Sequence, residues 1–149
     1  LTEKLEPTAP SGQRRLGLVD SLAKEVIPVG VRFDPIFPEL TEDEIPAVVK
    51  KISEAGAEHI VSSTFKARGD SWKRFKLAFP DTADGLEELY FEKGEKIDNS
   101  YYLPREMRMN ILEKVAKECD EHNISFATCR EGFFSLQTSG SCDGSHLIG

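Results

Sequence analysis

The chain has 149 residues, 39% of them hydrophobic and 30% charged, which reads as a soluble globular protein large enough for one domain with a real core. Its net charge of −7 at pH 7 argues against indiscriminate nucleic-acid binding, although it leaves room for a local basic patch. No apolar stretch approaches the roughly 20 residues of a membrane helix, no signal-peptide pattern is present, and an odd number of cysteines argues against a secreted disulfide framework, so the default is cytoplasmic with no membrane partner.

The chain enters at Leu1 directly into Thr-Glu-Lys-Leu, which looks like the end of a helix, and this reads as a piece of a longer polypeptide. Leu5 to Ser11 is a loop stiffened by Pro7 and Pro10. Ser11 is placed to cap a helix running to about Glu25, with Leu16, Val19, Leu22 and Ala23 on one face. Ile27 to Phe33 reads as a strand. Thr41 and Glu44 have the spacing of a capping box, opening a helix with Ile45, Val48, Val49, Ile52 and Ala55 on one stripe and Gly56 as its left-handed cap. Ala57 to Phe65 is a second strand, and the strand–helix–strand order predicts a βαβ unit in a parallel sheet.

After Phe65 the period changes. Ser71–Phe79 and Thr82–Lys93 read as helices split by Pro80, and Gly94 stops the second. Ser100 to Leu103 is a short extended piece, and Pro104 opens a helix to about His122 with Ile111, Leu112, Val115 and Cys119 inward. Asn123 suits its C-cap, Ile124 to Cys129 is a short strand, and Thr138 to Gly149 reads as a polar loop.

Four groups of residues carry chemistry. The first strand ends in Arg32, Asp34, Pro35 and Pro38; a buried strand with such a C-terminal end is what an α/β barrel uses to hold a ligand, and equally what an ordinary strand-to-helix connection looks like. Lys66 to Lys76 holds five cations (Lys66, Arg68 and Arg74 among them), one anion and the only tryptophan, Trp72. Cations contact phosphates and aromatics stack on bases, but the spacing of Trp72 and Phe75 equally suits the buried side of a helix. Tyr101, Tyr102 and Arg105 form a second aromatic–basic cluster, in which alternation turns one phenol out or towards a cavity. Cys119, His122, Cys129, Cys142 and His146 form a scattered set that could supply a soft site for zinc or an additional iron–sulfur cluster, although Cys119 falls on an apolar helix face.

Leu5 to Ser11 with Arg15 and Leu16, Ile27 to Pro38, and Ala55-Gly56-Ala57 leading into His59-Ile60-Val61 resemble the segments around the fourth to sixth barrel strands of radical SAM enzymes of the spore photoproduct lyase type, the DNA repair photolyase-like proteins. The resemblance covers about the first half of the chain. It implies the C-terminal portion of a partial TIM-type (β/α) barrel with a helical C-terminal extension, an α/β fold. The expected organisation is residues 1–65 as the barrel's βα units and 66–149 as the substrate-side extension. It further implies S-adenosylmethionine and a [4Fe–4S] cluster as cofactors, and radical repair or modification of a nucleic-acid base.

The family's Cys-x-x-x-Cys-x-x-Cys cluster loop is absent, so the cluster ligands are expected in the upstream half of the same polypeptide, and this chain alone is not expected to be competent. By position, Arg32, Asp34, Ser62, Ser63 and Thr64 are the candidates for the cofactor's adenosyl side. Lys66, Arg68, Trp72, Arg74, Tyr101, Tyr102 and Arg105 are the candidates for nucleic acid. Cys119, Cys129, Cys142 and His146 are the candidates for metal. Two rival readings are a non-catalytic α/β nucleic-acid-binding module and a metal-stabilised interaction domain built on the tail cysteines.

Overall fold

The computed structural model describes residues 2–148; Leu1 and Gly149, which bound two of the expectations above, lie outside the described residues. The fold is α/β. Three parallel strands, β1 (Gly30–Ile36), β2 (His59–Thr64) and β5 (Ser125–Thr128), lie in the order β1-β2-β5. Gly30 aligns with His59 and His59 with Ser125, so corresponding residues of the three strands form rows across the sheet. All six residues of central β2 are buried, as expected of a parallel strand covered on both faces.

The two faces differ in kind. Ile60 and Phe126 point towards α3 (Ile45–Glu54) and α6 (Arg105–Glu121) and join one apolar core with Ile45, Val49, Ile52, Ile111, Leu112, Val115 and Cys119. Val61 and Ala127, one residue along, are buried but outside that core, because successive side chains of a strand face opposite ways. Their face carries no helix of the main core. It displays Gly30, Arg32 and Asp34 on β1, His59, Val61 and Ser63 on β2, and Ser125, Ala127 and Cys129 on or just beyond β5. A Cβ built on Gly30 would meet the His59 ring at 3.6 Å, which places these two residues side by side on it.

The sheet edges are also unequal. Beside β5 the chain folds back, Thr138 N–H donating to Phe126 O at 2.9 Å and Phe126 N–H to Thr138 Oγ1 at 2.8 Å. No strand pairs with the outer edge of β1 among the described residues. Near that edge stand α1 (Thr2–Leu5) and α2 (Gly12–Lys24), which, with Val31, Phe33 and the first turns of α3, line a cavity of about 810 Å³. Ser11 caps α2 as the sequence predicts, its Oγ accepting from Arg14 N–H at 3.3 Å.

Beyond β2 the chain builds an aromatic annex. α4 (Gly69–Ala78) and α5 (Pro80–Phe91) bring Trp72, Phe75 and Tyr90 against Phe65 and Phe37, with Phe37 and Phe65 stacked at 4.6 Å between centroids and Trp72 5.4 Å from Tyr90. Each buried ring contributes about 1.5–3 kcal/mol by leaving water. A hairpin of β3 (Glu95–Ile97) and β4 (Ser100–Tyr102) follows and is tied to the end of β2 through paired bonds between Ala67 and Tyr101. Gly94 enters it where no side chain fits, since a Cβ would stand 2.1 Å from Tyr102 O.

Several local expectations are corrected. β1 begins three residues later than read and runs through Pro35, so Arg32 and Asp34 are strand residues rather than turn residues. Thr41 caps no helix by its side chain. Its Oγ1 accepts from Phe37 N–H at 2.9 Å, closing the loop behind it, and Glu42–Glu44 is a 3₁₀ turn before α3 starts at Ile45. β3 adds a strand that no local pattern announces, since its three residues need the partner β4 to form it. β5, which follows Phe65, pairs with β2, which precedes it, and one core cluster draws residues from both sides of that position.

Candidate functional site

Parallel strands converge their C-terminal ends, and here those ends carry the polar residues. On the helix-free face Arg32 Nη2 donates to Asp34 Oδ2 at 2.6 Å and Ser63 Oγ donates to the same oxygen at 3.3 Å. Cys129, at the end of β5, and then Asp34 raise the Arg32 guanidinium above the ordinary arginine value, so it stays charged. Arg32 is 58% exposed at its side chain while Asp34 is 16% exposed, so the carboxylate is the enclosed member of the pair and the guanidinium the one that reaches solvent. Strand alternation splits the five residues assigned to the cofactor. Arg32, Asp34 and Ser63 form this group. Ser62 turns the other way and donates to Phe33 O at 2.5 Å, and Thr64 belongs to a second group.

That second group centres on Glu131, which sequence reasoning missed. Its side chain is fully buried, and Oε1 accepts from Thr64 N–H at 2.9 Å, Thr64 Oγ1 at 3.0 Å and Lys66 Nζ at 2.9 Å. Its Oε2 accepts from Arg108 Nη1 at 2.9 Å. Arg108, 1% exposed within a helix otherwise read as apolar-faced, spends its remaining donors on Leu103 O at 2.9 Å and Glu95 Oε2 at 2.6 Å. A buried charge persists only when paired and hydrogen-bonded, and both oxygens of this carboxylate are engaged. The Tyr102 ring lies beneath both cations, Lys66 Nζ at 5.3 Å and the Arg108 guanidinium at 5.1 Å from its centroid. Burial first, and the Glu131 charge second, push the Tyr102 phenol above its ordinary value, so it remains a neutral donor.

Beside this network opens a cavity of about 760 Å³ lined by Arg68, Arg105, Arg108, Arg130, Tyr102 and Glu131 among others. Arg68 and Arg105 were expected on the substrate side, and Tyr102 is the tyrosine turned towards a cavity. Tyr101 instead packs on Phe91 at 4.7 Å. Trp72 is 8% exposed and enclosed by Phe75, Tyr90 and Phe91, so its ring offers no stacking surface; the i, i+3 spacing with Phe75 marked a core face. Arg74 sits on the exposed side of α4 with Asp70 at 3.0 Å. The basic run thus divides between network, cavity, core and solvent.

The cysteine–histidine set does not assemble either. Cys119 is buried in the core, where desolvation pushes its thiol up to about 12. Cys129 stands beside Arg32 and Cys142 is exposed in the tail. Among the described residues no three His, Cys, Asp or Glu side chains come together as a group able to hold a metal ion, so neither a zinc site nor a cluster finds its ligands there. The tail makes a different arrangement at the opposite, N-terminal ends of the strands. His59 Nδ1 and His146 Nε2 both meet Ser125 Oγ, at 3.0 and 3.1 Å, and His146 Nδ1 meets Ser141 Oγ at 2.7 Å. The two imidazoles lie edge to face at 4.7 Å, and the buried Nε2 of His59 has no partner.

No helix of the described residues is long and apolar enough to cross a membrane. Compared with known proteins, the chain matches no protein-family model, no curated protein and no solved structure.

Proposed function

We propose that this chain is the C-terminal portion of a radical SAM enzyme resembling spore photoproduct lyase, with the barrel's upstream strands and its [4Fe–4S] cluster supplied by an upstream half of the same polypeptide. The observation that carries the reading is the Arg32–Asp34–Ser63 row, set at the C-terminal ends of parallel strands on the face that no core helix covers. The outer edge of β1, which pairs with no strand among the described residues, supports it, since a further parallel strand there would extend the sheet towards a barrel. The resemblance of Ile27 to Pro38 points the same way.

The residues present fit S-adenosylmethionine. Asp34 offers an enclosed acceptor for hydroxyls, Arg32 the solvent-facing donors of its guanidinium for a carboxylate, and Val31 and Phe33 an apolar wall of the same cavity. When bound beside its cluster, this cofactor supplies the radical that acts on substrate. The residues here do not fit the cluster itself, and they would serve by binding and orienting the cofactor and by facing a nucleic-acid substrate from the Arg68–Arg105 side. The rival reading as a non-catalytic nucleic-acid module loses its stacking residue to the core at Trp72.

Two measurements test this. The gene upstream of the Leu1 codon should encode, in frame, a Cys-x-x-x-Cys-x-x-Cys loop early in a βα pattern; a start codon immediately before Leu1 would sink the proposal. In the protein so encoded, S-adenosylmethionine should slow amide exchange at Val31–Asp34 and Ser62–Thr64, and Asp34→Ala should abolish that protection without altering the circular dichroism. Protection equal in the variant would remove Asp34 from the site.

A further inference from the structure

Part of the charge lining the cavity beside Glu131 is already matched. Glu131 is held by Lys66 and Arg108, and Glu95 by Arg108. Three guanidiniums are not: Arg68, Arg105 and Arg130 line the same cavity and have no carboxylate within ion-pair distance among the described residues, against one unmatched lining carboxylate, Asp98. In a chain of net charge −7, three unmatched cations around one concavity are a departure from the surrounding surface.

Two of the three are also held by a side-chain contact other than an ion pair, and the third is placed by its backbone. Arg68 Nε donates to buried Ser100 Oγ at 2.8 Å, which leaves its terminal nitrogens free. The Arg105 guanidinium lies 4.7 Å from the centroid of the Phe133 ring, so its N–H edge stays available. Arg130 follows β5 with a φ of 57°, a left-handed conformation that turns the chain sharply between Cys129 and buried Glu131. The Arg68 and Arg105 guanidiniums, fixed this way, present donors while losing little side-chain freedom on binding, and the turn at Arg130 brings a third to the same cavity.

We propose that Arg68, Arg105 and Arg130 form a clamp for the phosphodiester backbone of a single-stranded nucleic acid, a site in which Arg130 joins two residues already placed on the substrate side. The inference rests on the nucleic-acid reading above and gives it a mode of recognition. The clamp reads phosphate and not base. The aromatic rings beside the arginines are buried, Tyr102 5% and Phe133 1% exposed, and already carry cations, so no open ring face remains for stacking.

The test is fluorescence anisotropy of a labelled single-stranded oligonucleotide, without S-adenosylmethionine, so that this inference and the cofactor proposal can fail separately. Arg68→Gln, Arg105→Gln and Arg130→Gln should each weaken binding roughly tenfold and lower the salt dependence by about one counterion. Arg14→Gln and Lys73→Gln, exposed cations away from the cavity, should change it by less than about twofold. An abasic strand should bind as well as a natural one. Thermal unfolding of each variant, unchanged, would show that the fold is kept. Equal losses in the control variants, an unaffected triple arginine variant, or a marked preference for natural bases would overturn the clamp. Displacement of the strand by inorganic phosphate at equal phosphate concentration would overturn the strand as occupant and leave a small-anion site.

Discussion

Glu131 and Arg108 face each other at 2.9 Å with neither side chain reaching solvent, and they join the end of the sheet to the first turns of the longest helix. Through Glu131 the pair also holds Thr64 and Lys66, so one buried carboxylate fixes the position of the loop after β2, on which Arg68 stands.

Removing one member of this pair leaves the other charged and unsolvated. Glu131→Gln and Arg108→Met should each lower stability by about 3–5 kcal/mol, and the double variant should cost clearly less than their sum. Urea unfolding of the four proteins measures this, and strict additivity would show that the two charges do not depend on each other.

His59 sets a pH dependence. Burial, and after it the His146 ring, lower its pKa below the ordinary 6.5. The unfolded chain therefore takes up the proton first as the pH falls, and the folded state loses stability from about pH 6.5 downward, while above that both states are neutral and stability is complete. Urea midpoints should be flat between about pH 7 and 8 and fall between about pH 6.5 and 5, and His59→Gln should flatten that fall. A wild-type midpoint that rises on acidification over this range would contradict the arrangement of the two rings.

Trp72 should report the core and nothing else. Its emission should be blue-shifted and shielded from acrylamide, and it should not respond to added single-stranded nucleic acid. Trp72→Ala should cost about 3–5 kcal/mol, the usual loss for a large buried aromatic. Quenching of Trp72 by an oligonucleotide would return it to the binding surface.

The three thiols should separate by exposure. Cys142 should react first with a chromogenic disulfide reagent, Cys129 more slowly, and Cys119 only after unfolding, since its pKa is pushed up to about 12 and its sulfur is buried. Two thiols in the native protein and three in urea is the expected titration. Native reaction of Cys119 as fast as Cys142 would place it outside the core.

The elements legible in advance were those whose signals are local. The stripe Ile45, Val49 and Ile52, the inner face Ile111, Leu112, Val115 and Cys119, the left-handed positions Gly56 and Asn123, and the β-rich run His59–Thr64 depend on neighbours within one or two turns. The capping box at Thr41 failed because a buried loop gave that hydroxyl a different donor. The candidate site was half legible. Arg32, Asp34 and Ser63 were named together with Ser62 and Thr64, and only knowledge of which strand face is covered separates them.

By itself, then, the chain's order of residues determined the α/β alternation, the amphipathic helix faces and the placing of polar residues at strand ends, because periodicity and turn chemistry act over a few residues. Tertiary structure alone decided that Glu131 and Arg108, 23 positions apart, are the buried charge pair, that Trp72 is core, that the cysteines stay separate and that three arginines share a cavity. A charge is buried or a cation left unmatched according to which distant groups the folded chain brings beside it, and no local pattern records that.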